Sequence, residues 1–273
     1  MPEGHHIHRL ARDLDQAFAG QPVRVSSPQG RFAESAALLD QAVLEGSWAV
    51  GKHLFVGFAG DRVVHIHLGL IGKLRWYPWP GGPGTVRLRI GTEAGVYDLT
   101  GPQTCRLITR AEADTVAQTS GPDPLDPAAD RDRAWARVQR SSRTVAALLM
   151  DQKIFAGVGN IYRAEVLFRA GVNPYLPGKQ VPRRTFDAIW DDLVELMPRG
   201  VADDRIDTVR PEHSPEAMGR PPRVDAHGGE VYVYRRHDLP CLVCGTPIRV
   251  EDHAARNLYW CPRCQRGQQQ RTG

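Results

Sequence analysis

The chain has 273 residues, of which 41% are hydrophobic, and it carries a formal net charge of +4. This length and apolar content exclude a largely disordered chain and suffice for one large domain or two. The basic balance is compatible with a polyanionic partner. The sequence contains no run of about 18 apolar residues, so no transmembrane helix is predicted. The N-terminus also lacks a secretory signal pattern. We therefore expect a cytoplasmic protein without a membrane partner.

The first three residues, Met1-Pro2-Glu3, offer a route to covalent chemistry. Removal of the initiator methionine would leave Pro2 with a free secondary amine. A terminal α-amine titrates near pH ~7.7–8.0, so part of it is uncharged at neutral pH. Such an amine condenses with an aldehyde-level carbon to an iminium, which is an electron sink, and the Glu3 carboxyl follows at once. A proline followed by an acid is also an ordinary helix start, so both interpretations stay open at this point.

Residues 3–19 predict an amphipathic helix, because apolar side chains recur at helical spacing and Gly20 follows them. These side chains are Ile7, Leu10, Ala11, Leu14, Ala17 and Phe18. From about 22 to 110, short β-prone runs alternate with turn signals, which is typical of a sandwich or barrel. The runs are Pro22–Val25, Leu54–Phe58, Val63–Leu68, Leu74–Tyr77, Val86–Ile90 and Val96–Leu99.

Residues 119–131 contain three prolines and little apolar bulk, and they predict an interdomain linker. The chain beyond is helical in pattern, with a clear helix through Phe186, Trp190 and Leu196 that should end at Pro198. Residues 201–229 are polar and predict a long loop. The predicted domains are therefore 1–118, the linker 119–131, a helical domain 132–229 and a cysteine-rich segment 230–273.

The segment 230–273 contains four of the five cysteines, Cys241, Cys244, Cys261 and Cys264, in a C-x2-C-x16-C-x2-C arrangement. This spacing is typical of a zinc site in a cytosolic protein. Four thiolates complete a tetrahedral shell and leave no open position, so one structural Zn²⁺ is expected. The flanks Val231–Tyr234, Ile248–Val250 and Leu258–Trp260 are β-prone and predict a β-ribbon.

Four further features admit a structural and a functional interpretation. Lys52 follows Gly51 at the start of a strand, and Leu70 lies between two glycines on a turn. Lys153 and Asn160 flank a glycine turn between two helices, where backbone N–H groups are natural phosphate ligands. Arg256 belongs to a basic stretch between the cysteine pairs, which is either a solvated surface or a grip on a phosphate backbone.

Six motifs in order resemble one family over nearly the whole chain, the formamidopyrimidine-DNA glycosylase/endonuclease VIII family. They are Pro2-Glu3-Gly4, Gly51-Lys52-His53, His67-Leu68-Gly69-Leu70, the segment 121–125, the segment 151–165, and the segment 256–265 with its cysteines. The start resembles the endonuclease VIII branch, and the sequence is most like its actinobacterial members. His6 departs from the family pattern, since it stands where a carboxylate helps to order the site. No insertion loop of the formamidopyrimidine branch is recognisable at 101–106.

The resemblance implies an α+β fold: an N-terminal β-sandwich with a flanking helix, then a helical domain with a helix–two-turn–helix motif and a β-hairpin zinc finger. It implies that Pro2 is the nucleophile, Glu3 the general acid and base, and Lys52 a catalytic phosphate contact. Leu70 would fill the gap left by an everted nucleotide. Lys153, Asn160 and Arg256 would hold phosphates, and Glu165 would be structural.

The expected function is a bifunctional DNA glycosylase and AP lyase of base-excision repair, acting on oxidised bases, mainly pyrimidines, and cutting by β,δ-elimination. The expected partner is damaged double-stranded or single-stranded DNA, and a monomer associated with the nucleoid is predicted. The alternative is a non-catalytic protein that binds damaged DNA on the same fold. Retention of Met1 would produce that alternative, because the nitrogen of Pro2 would then belong to an amide.

Overall fold

A computed structural model describes residues 2–225 and 229–266 of the chain. The chain divides into two units, Met1–Ser120 and Gly121–Gly273. This boundary falls inside the predicted linker 119–131, and most of the linker belongs to the second unit. There the Gly121 amide donates a hydrogen bond to the Gln152 carbonyl at 2.8 Å. Met1, residues 226–228 and residues 267–273, which the predicted domains include, lie outside the described residues.

The first unit begins with helix α1 (Gly4–Phe18), as the apolar periodicity predicts. One face of this helix is buried through Ile7, Leu10, Ala11, Leu14 and Phe18. These side chains join a core that both sheets of the unit share. Because the buried face fixes the helix against the sheets, the segment at its N-terminal end is anchored as well.

Two antiparallel sheets form the rest of this unit. The five-stranded sheet has the order β1-β3-β4-β5-β9 and the four-stranded sheet the order β2-β7-β8-β6. The strands are β1 (Gln21–Pro22), β2 (Arg24–Ser26), β3 (Val43–Val50), β4 (His53–Phe58), β5 (Arg62–His67), β6 (Lys73–Tyr77), β7 (Val86–Thr92), β8 (Gly95–Thr100) and β9 (Thr104–Ile108). The predicted N-terminal sheet domain is confirmed.

Four elements of this unit were absent from the sequence prediction: β3, β9 and the helices α2 (Ala33–Leu39) and α3 (Arg110–Thr119). Strand β3 has no simple alternation, because Glu45, Gly46 and Ser47 interrupt it and the pairing shifts register between Leu44 and Gly46. Such a β-bulge hides the period-2 pattern. Helix α3 begins with a capping box between Thr109 and Glu112, a signal that the sequence does contain.

The second unit contains α4 (Arg131–Gln139), α5 (Val145–Leu149), α6 (Asn160–Arg169), α7 (Arg183–Asp203) and α8 (Pro215–Met218), with 3₁₀ turns at Gly178–Gln180 and Pro211–His213. The prediction that α7 ends at Pro198 is wrong, because this proline lies inside the helix. Leu193, Leu196 and Met197 before it and Gly200 after it are all buried. Packing on both sides therefore outweighs the lost hydrogen bond.

The cysteine-rich segment carries a hairpin of β10 (Arg249–Asp252) and β11 (Asn257–Trp260). The predicted strand at Val231–Tyr234 is wrong: these residues are buried in a loop that the side chain of Glu165 holds. The mixed α+β fold with an N-terminal sheet domain and a C-terminal four-cysteine zinc finger is confirmed. The prediction of one long loop over 201–229 is wrong, because this stretch contains the end of α7, a 3₁₀ turn and α8. Among the described helices, none combines the length and apolar character needed to cross a membrane.

Candidate active site and nucleic-acid interface

Pro2 and Glu3 lie immediately before helix α1. Pro2 is partly buried, and Glu3 is fully buried with 0% exposure. The Glu3 carbonyl accepts hydrogen bonds from the His6 amide at 3.1 Å and the Ile7 amide at 3.4 Å. The Glu3 side chain does not cap its own helix. The buried Glu3 therefore lies next to Pro2, directly before a helix that is anchored in the sandwich core.

Lys52 occupies the two-residue turn between β3 and β4, where Val50 pairs with His53. Gly51, the first residue of this turn, has a φ of 58°. Two-residue hairpins of type II′ need a positive φ at this position, which glycine adopts without strain. The turn fixes the backbone of Lys52, and its side chain is half-buried.

Three histidines from β4 and β5 cluster beside this turn on one face of the five-stranded sheet. The His53 Nδ1 atom lies 2.9 Å from the His65 Nε2 atom. The rings of His53 and His67 lie 5.0 Å apart, and the His65 ring stacks on Phe55 at 4.9 Å. His67 Nδ1 accepts a hydrogen bond from the Gly69 amide at 3.2 Å. The sequence contains the three histidines, but only the strand register brings them together.

The surroundings keep these histidines neutral. Burial lowers the pKa of His53 to about 4, with further contributions from His65 and His67. Burial lowers the pKa of His65 to about 4 as well, aided by the charges of Arg106 and His67. Burial and the charge of Lys52 lower the pKa of His67. The cluster therefore adds no positive charge beside Lys52 at neutral pH.

Leu70 lies on the loop between β5 and β6 with 54% of its surface exposed, and the neighbouring Ile71 is 78% exposed. The Gly72 amide closes the loop by donating to the Leu68 carbonyl at 3.1 Å. A Cβ atom at Gly72 would lie 2.3 Å from that oxygen, so only glycine fits. The loop therefore presents two apolar side chains to solvent on a tightly turned backbone.

The turn between α5 and α6 is organised by Gln152, which the sequence analysis missed. Its side-chain amide donates to the carbonyls of Met150 at 3.0 Å and Val158 at 2.9 Å, and its oxygen accepts from the Gly157 amide at 3.1 Å. Gly157 has a φ of 83°. Lys153, by contrast, is exposed. One partly buried side-chain amide thus shapes the turn, while Lys153 is exposed to solvent.

Asn160 and Arg163 at the start of α6 both bind the zinc-finger hairpin. Asn160 Nδ2 and an Arg163 Nη each donate to the carbonyl oxygen of Asn257 at 3.0 Å. The Arg163 guanidinium also donates to the Asn160 side-chain oxygen. The hairpin therefore has a fixed position against the helix–two-turn–helix motif. Arg163 was missed by the sequence analysis, although an arginine in so apolar a helix was a visible signal.

Arg256 lies at the tip of this hairpin, directly before Asn257. Ala254 and Ala255 both have positive φ values, 55° and 59°, as in a type I′ turn. The His253 amide donates to the Arg256 carbonyl at 2.9 Å. The His253 ring lies 2.7 Å from the Thr144 hydroxyl, so the tip is tied to the helical part of the unit.

The four cysteines of the sequence motif converge, with their sulfur atoms all within 4.8 Å of one another. The Sγ atoms of Cys241 and Cys264 are 3.9 Å apart, and those of Cys244 and Cys261 are 3.5 Å apart. Tetrahedral Zn–S bonds of about 2.3 Å place sulfurs ~3.8 Å apart. The geometry therefore fits one structural Zn²⁺, as the sequence predicts.

Glu165 holds the loop that precedes the zinc finger. Its fully buried carboxylate accepts hydrogen bonds from the amides of Tyr232 at 2.7 Å, Val233 at 2.9 Å and Tyr234 at 2.9 Å. It also accepts one from the Thr208 hydroxyl at 2.6 Å. These contacts fit the structural role that the resemblance implies for Glu165.

The predicted site residues fall into two sets, one in each unit. Pro2, Glu3, Lys52 and Leu70 belong to the first unit, on the start of α1 and on two tight turns. Lys153, Asn160 and Arg256 belong to the second, where the hairpin residue next to Arg256 contacts Asn160. In each unit the predicted site residues therefore lie in turns, at a hairpin tip or at the start of a helix.

Comparison with known domains agrees with this architecture. Residues 1–105 match the formamidopyrimidine-DNA glycosylase N-terminal domain, and residues 120–210 match the formamidopyrimidine-DNA glycosylase H2TH domain. Residues 238–267 match the zinc finger found in FPG and IleRS. This combination defines the class of the protein as a DNA glycosylase with a helix–two-turn–helix domain and a zinc finger.

The chain belongs to the formamidopyrimidine-DNA glycosylase family, as the sequence predicts. It is 47% identical to endonuclease 8 1 of Mycobacterium tuberculosis over 97% of this chain and 100% of that protein. It is 31% identical to the probable endonuclease 8 2 of Streptomyces coelicolor over 100% of this chain and 97% of that protein. Both relatives bear the endonuclease 8 name, in agreement with the predicted branch.

Solved structures share the fold. The complex of Lactococcus lactis Fpg with DNA containing an abasic site has a TM-score of 0.79 at 20% identity and covers 97% of this chain and 100% of that chain. The crystal structure of MutM (Fpg) from Thermus thermophilus has a TM-score of 0.76 at 27% identity and covers 97% of this chain and 98% of that chain.

Proposed function

We propose that this protein is a bifunctional DNA glycosylase and AP lyase of base-excision repair. Its substrates are oxidised bases, mainly pyrimidines, in double-stranded or single-stranded DNA, and it acts as a monomer in the cytoplasm at the nucleoid. The observation that carries the proposal is the position of Pro2 directly before the fully buried Glu3, at the anchored start of α1. A secondary amine next to a buried carboxyl is suited to iminium chemistry.

In this mechanism, removal of Met1 frees the Pro2 nitrogen, which attacks C1′ of the damaged nucleoside. The bond between C1′ and the base breaks, the base leaves with a proton, and the amine loses its own proton as the sugar ring opens. Glu3 exchanges protons with the ring oxygen. The iminium acidifies the C2′ hydrogen, whose loss expels the 3′-phosphate. A second elimination expels the 5′-phosphate and completes strand cleavage.

The remaining residues bind and orient the DNA. Lys52 places its charge beside the reacting sugar, where the neutral histidines add no competing cation, and Leu70 enters the gap left by the everted nucleotide. Lys153, the remaining hydrogen-bonding capacity of Asn160, and Arg256 hold phosphates on the second unit. Zn²⁺ bound by the four cysteines supplies only structural stabilisation of the hairpin that carries Arg256.

The proposal is tested by borohydride reduction on a duplex with an abasic site. The untagged protein should become covalently attached, because borohydride reduces an iminium to a stable amine. Pro2→Gly keeps a terminal amine and should reduce the yield, whereas an added N-terminal tag should abolish attachment. Equal attachment by tagged and untagged protein would show that the nucleophile is a group other than the Pro2 amine. No attachment by untagged protein whose Met1 removal is confirmed by intact mass would favour a non-catalytic DNA-binding protein.

A further inference from the structure

An open cleft with basic walls lies in the second unit between helix α4 and the turn that follows α5. Its volume is about 540 Å³, and α4 with the residue that follows it contributes Arg133, Arg137 and Arg140. The opposite wall consists of Asp151, Lys153 and the buried Ile154. Among these residues only Lys153 has a role in the proposed mechanism, and the three arginines have none.

The charge of this cleft is strongly positive. Four cationic side chains face a single carboxylate, Asp151, and that carboxylate is already paired with Arg143 at 2.7 Å. Two nearby arginines that do not line the cleft are paired with carboxylates: Arg131 with Asp191 at 3.5 Å, and Arg183 with Asp132 at 2.7 Å. Cationic side chains therefore outnumber carboxylates among the residues that line the cleft.

Two of the cleft arginines have no acidic partner. Neither Arg137 nor Arg140 forms an ion pair with any residue in the ranges 2–225 and 229–266, and both are exposed. The Arg137 guanidinium instead donates to the backbone carbonyl of Lys153. The Lys153 amide in turn donates to the Asp151 side chain at 3.0 Å. The two walls are therefore connected, and the backbone that carries Lys153 is fixed relative to α4.

The spacing of the arginines suits an extended polyanion. Positions 133, 137 and 140 are related as i, i+4 and i+7, so they follow one face of the helix. At 1.5 Å per residue this row is about 10 Å long. A DNA strand carries one phosphate per nucleotide, so a row of this length can contact more than one phosphate. A small free anion would contact only one end of such a row.

We propose that this cleft is an additional DNA-backbone site, in which Arg133, Arg137 and Arg140 bind the phosphates next to the one at Lys153. This inference rests on the proposed function, because it extends the path of the DNA from Lys153 along α4. The cleft lengthens the contacted stretch of DNA and contributes affinity without touching the reacting nucleotide.

The test uses the double variant Arg133→Gln/Arg140→Gln, which removes two charges and leaves the Arg137 contact with Lys153 in place. Binding to an abasic-site duplex with long flanks is measured over a salt series. The slope of log K against log salt should fall by about 1.8, or ~0.9 for each lost phosphate contact. The matched control is Arg199→Gln/Arg205→Gln, two exposed arginines of the same unit that pair with Glu195 and Asp207. Its slope should change little.

Shortening the flanks separates a local contact from a general effect of charge. Two duplexes are compared, each shortened on a different side of the abasic site. On the duplex that lacks the flank bound by the cleft, the difference in affinity between the wild type and the Arg133→Gln/Arg140→Gln variant should disappear. An unchanged slope in this variant, or an equal loss in the control, overturns the proposal. Thermal protection of the wild type by inorganic phosphate, lost in the variant while DNA binding is unaffected, would assign the cleft to a free anion and also overturn it.

The outcome for the cleft is distinguishable from that for the proposed function. Wild-type protein that shows borohydride attachment to the abasic site, together with an unchanged salt slope in the variant, contradicts only the cleft. Wild-type protein that shows no attachment contradicts the proposed chemistry whatever the salt slopes are. Melting temperature and zinc content of each variant establish that the chain is folded before binding is compared.

Discussion

The Nδ1 atom of His53 lies 2.9 Å from the Nε2 atom of His65 on the adjacent strand. Such a contact requires one nitrogen to donate and the other to accept, so at most one of the two rings can be protonated while it persists. Burial is the largest cause of the pKa decrease in both residues. The pair therefore links the stability of the first unit to the neutral state of two histidines.

We expect the protein to lose stability as the pH falls from about 6.5 towards 4. Folding lowers both pKa values from 6.5 to about 4, so the unfolded chain binds more protons between these values. The contribution is fully present above pH ~6.5 and is lost on acidification. Each histidine should contribute about 2 kcal/mol, less than the full shift implies because neither is completely shielded from solvent.

The measurement is the free energy of unfolding by denaturant from pH 7 to pH 4. His65→Phe keeps a ring against Phe55, which lies 4.9 Å from the His65 ring, and removes one titrating group. It should roughly halve the loss of stability over this interval, whereas His8→Gln serves as the control for loss of one histidine. An identical pH dependence in wild type and His65→Phe would contradict the role of the pair.

Lys52→Ala should slow base release more than strand cleavage at a pre-formed abasic site. The lysine charge acts during rupture of the bond to the base, and loss of one such group costs about 10²–10³ in rate. Single-turnover cleavage of both substrates measures the two steps. Lys73→Ala, an exposed lysine of the same unit, is the matched control. Equal slowing of both steps by Lys52→Ala would indicate a general binding role instead.

Arg256→Ala should weaken DNA binding, because a guanidinium at the hairpin tip can contact two oxygens of one phosphate. The slope of log K against log salt should fall by about 0.9, the value for one phosphate. Filter binding over a salt series provides the measurement, with Arg199→Ala as an exposed control in the same unit. An unchanged slope and affinity would show that the basic hairpin is a solvated surface that does not bind a phosphate.

Cys261→Ser, or chelation of the metal, should unfold the zinc-finger segment. Zinc binding supplies the folding free energy of such small units, and Cys261 is fully buried among the four sulfurs. Zinc content and circular dichroism report the structural change, and DNA binding should fall with it. Cys105→Ser, the cysteine outside the cluster, should retain zinc. Full DNA binding by metal-free protein would exclude the hairpin from the interface.

Glu165→Gln should destabilise the second unit by about 2–4 kcal/mol, because hydrogen bonds to a charged group contribute about 1.5–3 kcal/mol each. A glutamine presents an NH₂ group to some of the amide donors that the carboxylate oxygens now accept from. Chemical denaturation measures the loss. Glu195→Gln removes an exposed partner of Arg199 and should cost less than ~1 kcal/mol. A similar small cost at Glu165 would show that the loop is held by other contacts.

The sequence by itself determined the parts of this protein that depend on local spacing. The C-x2-C pairs predict zinc because two residues between thiolates suit one tetrahedral ion. The apolar period of residues 3–19 predicts α1, since a helix buries every third or fourth side chain. The turn that carries Leu70 is also indicated, because flanking glycines mark backbone that other residues adopt with strain. For Glu3 the sequence predicted a place inside the helix and for Lys52 the start of a strand, whereas Glu3 precedes α1 and Lys52 lies in a two-residue turn.

Only the tertiary structure decided which distant residues meet. The sequence placed Asn160 at a helix start, but its amide contacts the Asn257 carbonyl, 97 positions along the chain. Strand pairing of β4 with β5 assembled the histidine cluster, and the packing of α4 against the turn assembled the basic cleft. Hydrogen bonds and charges act through space over a few ångströms, whereas sequence patterns report neighbours along the chain. Such sites exist only once the fold has brought their elements together.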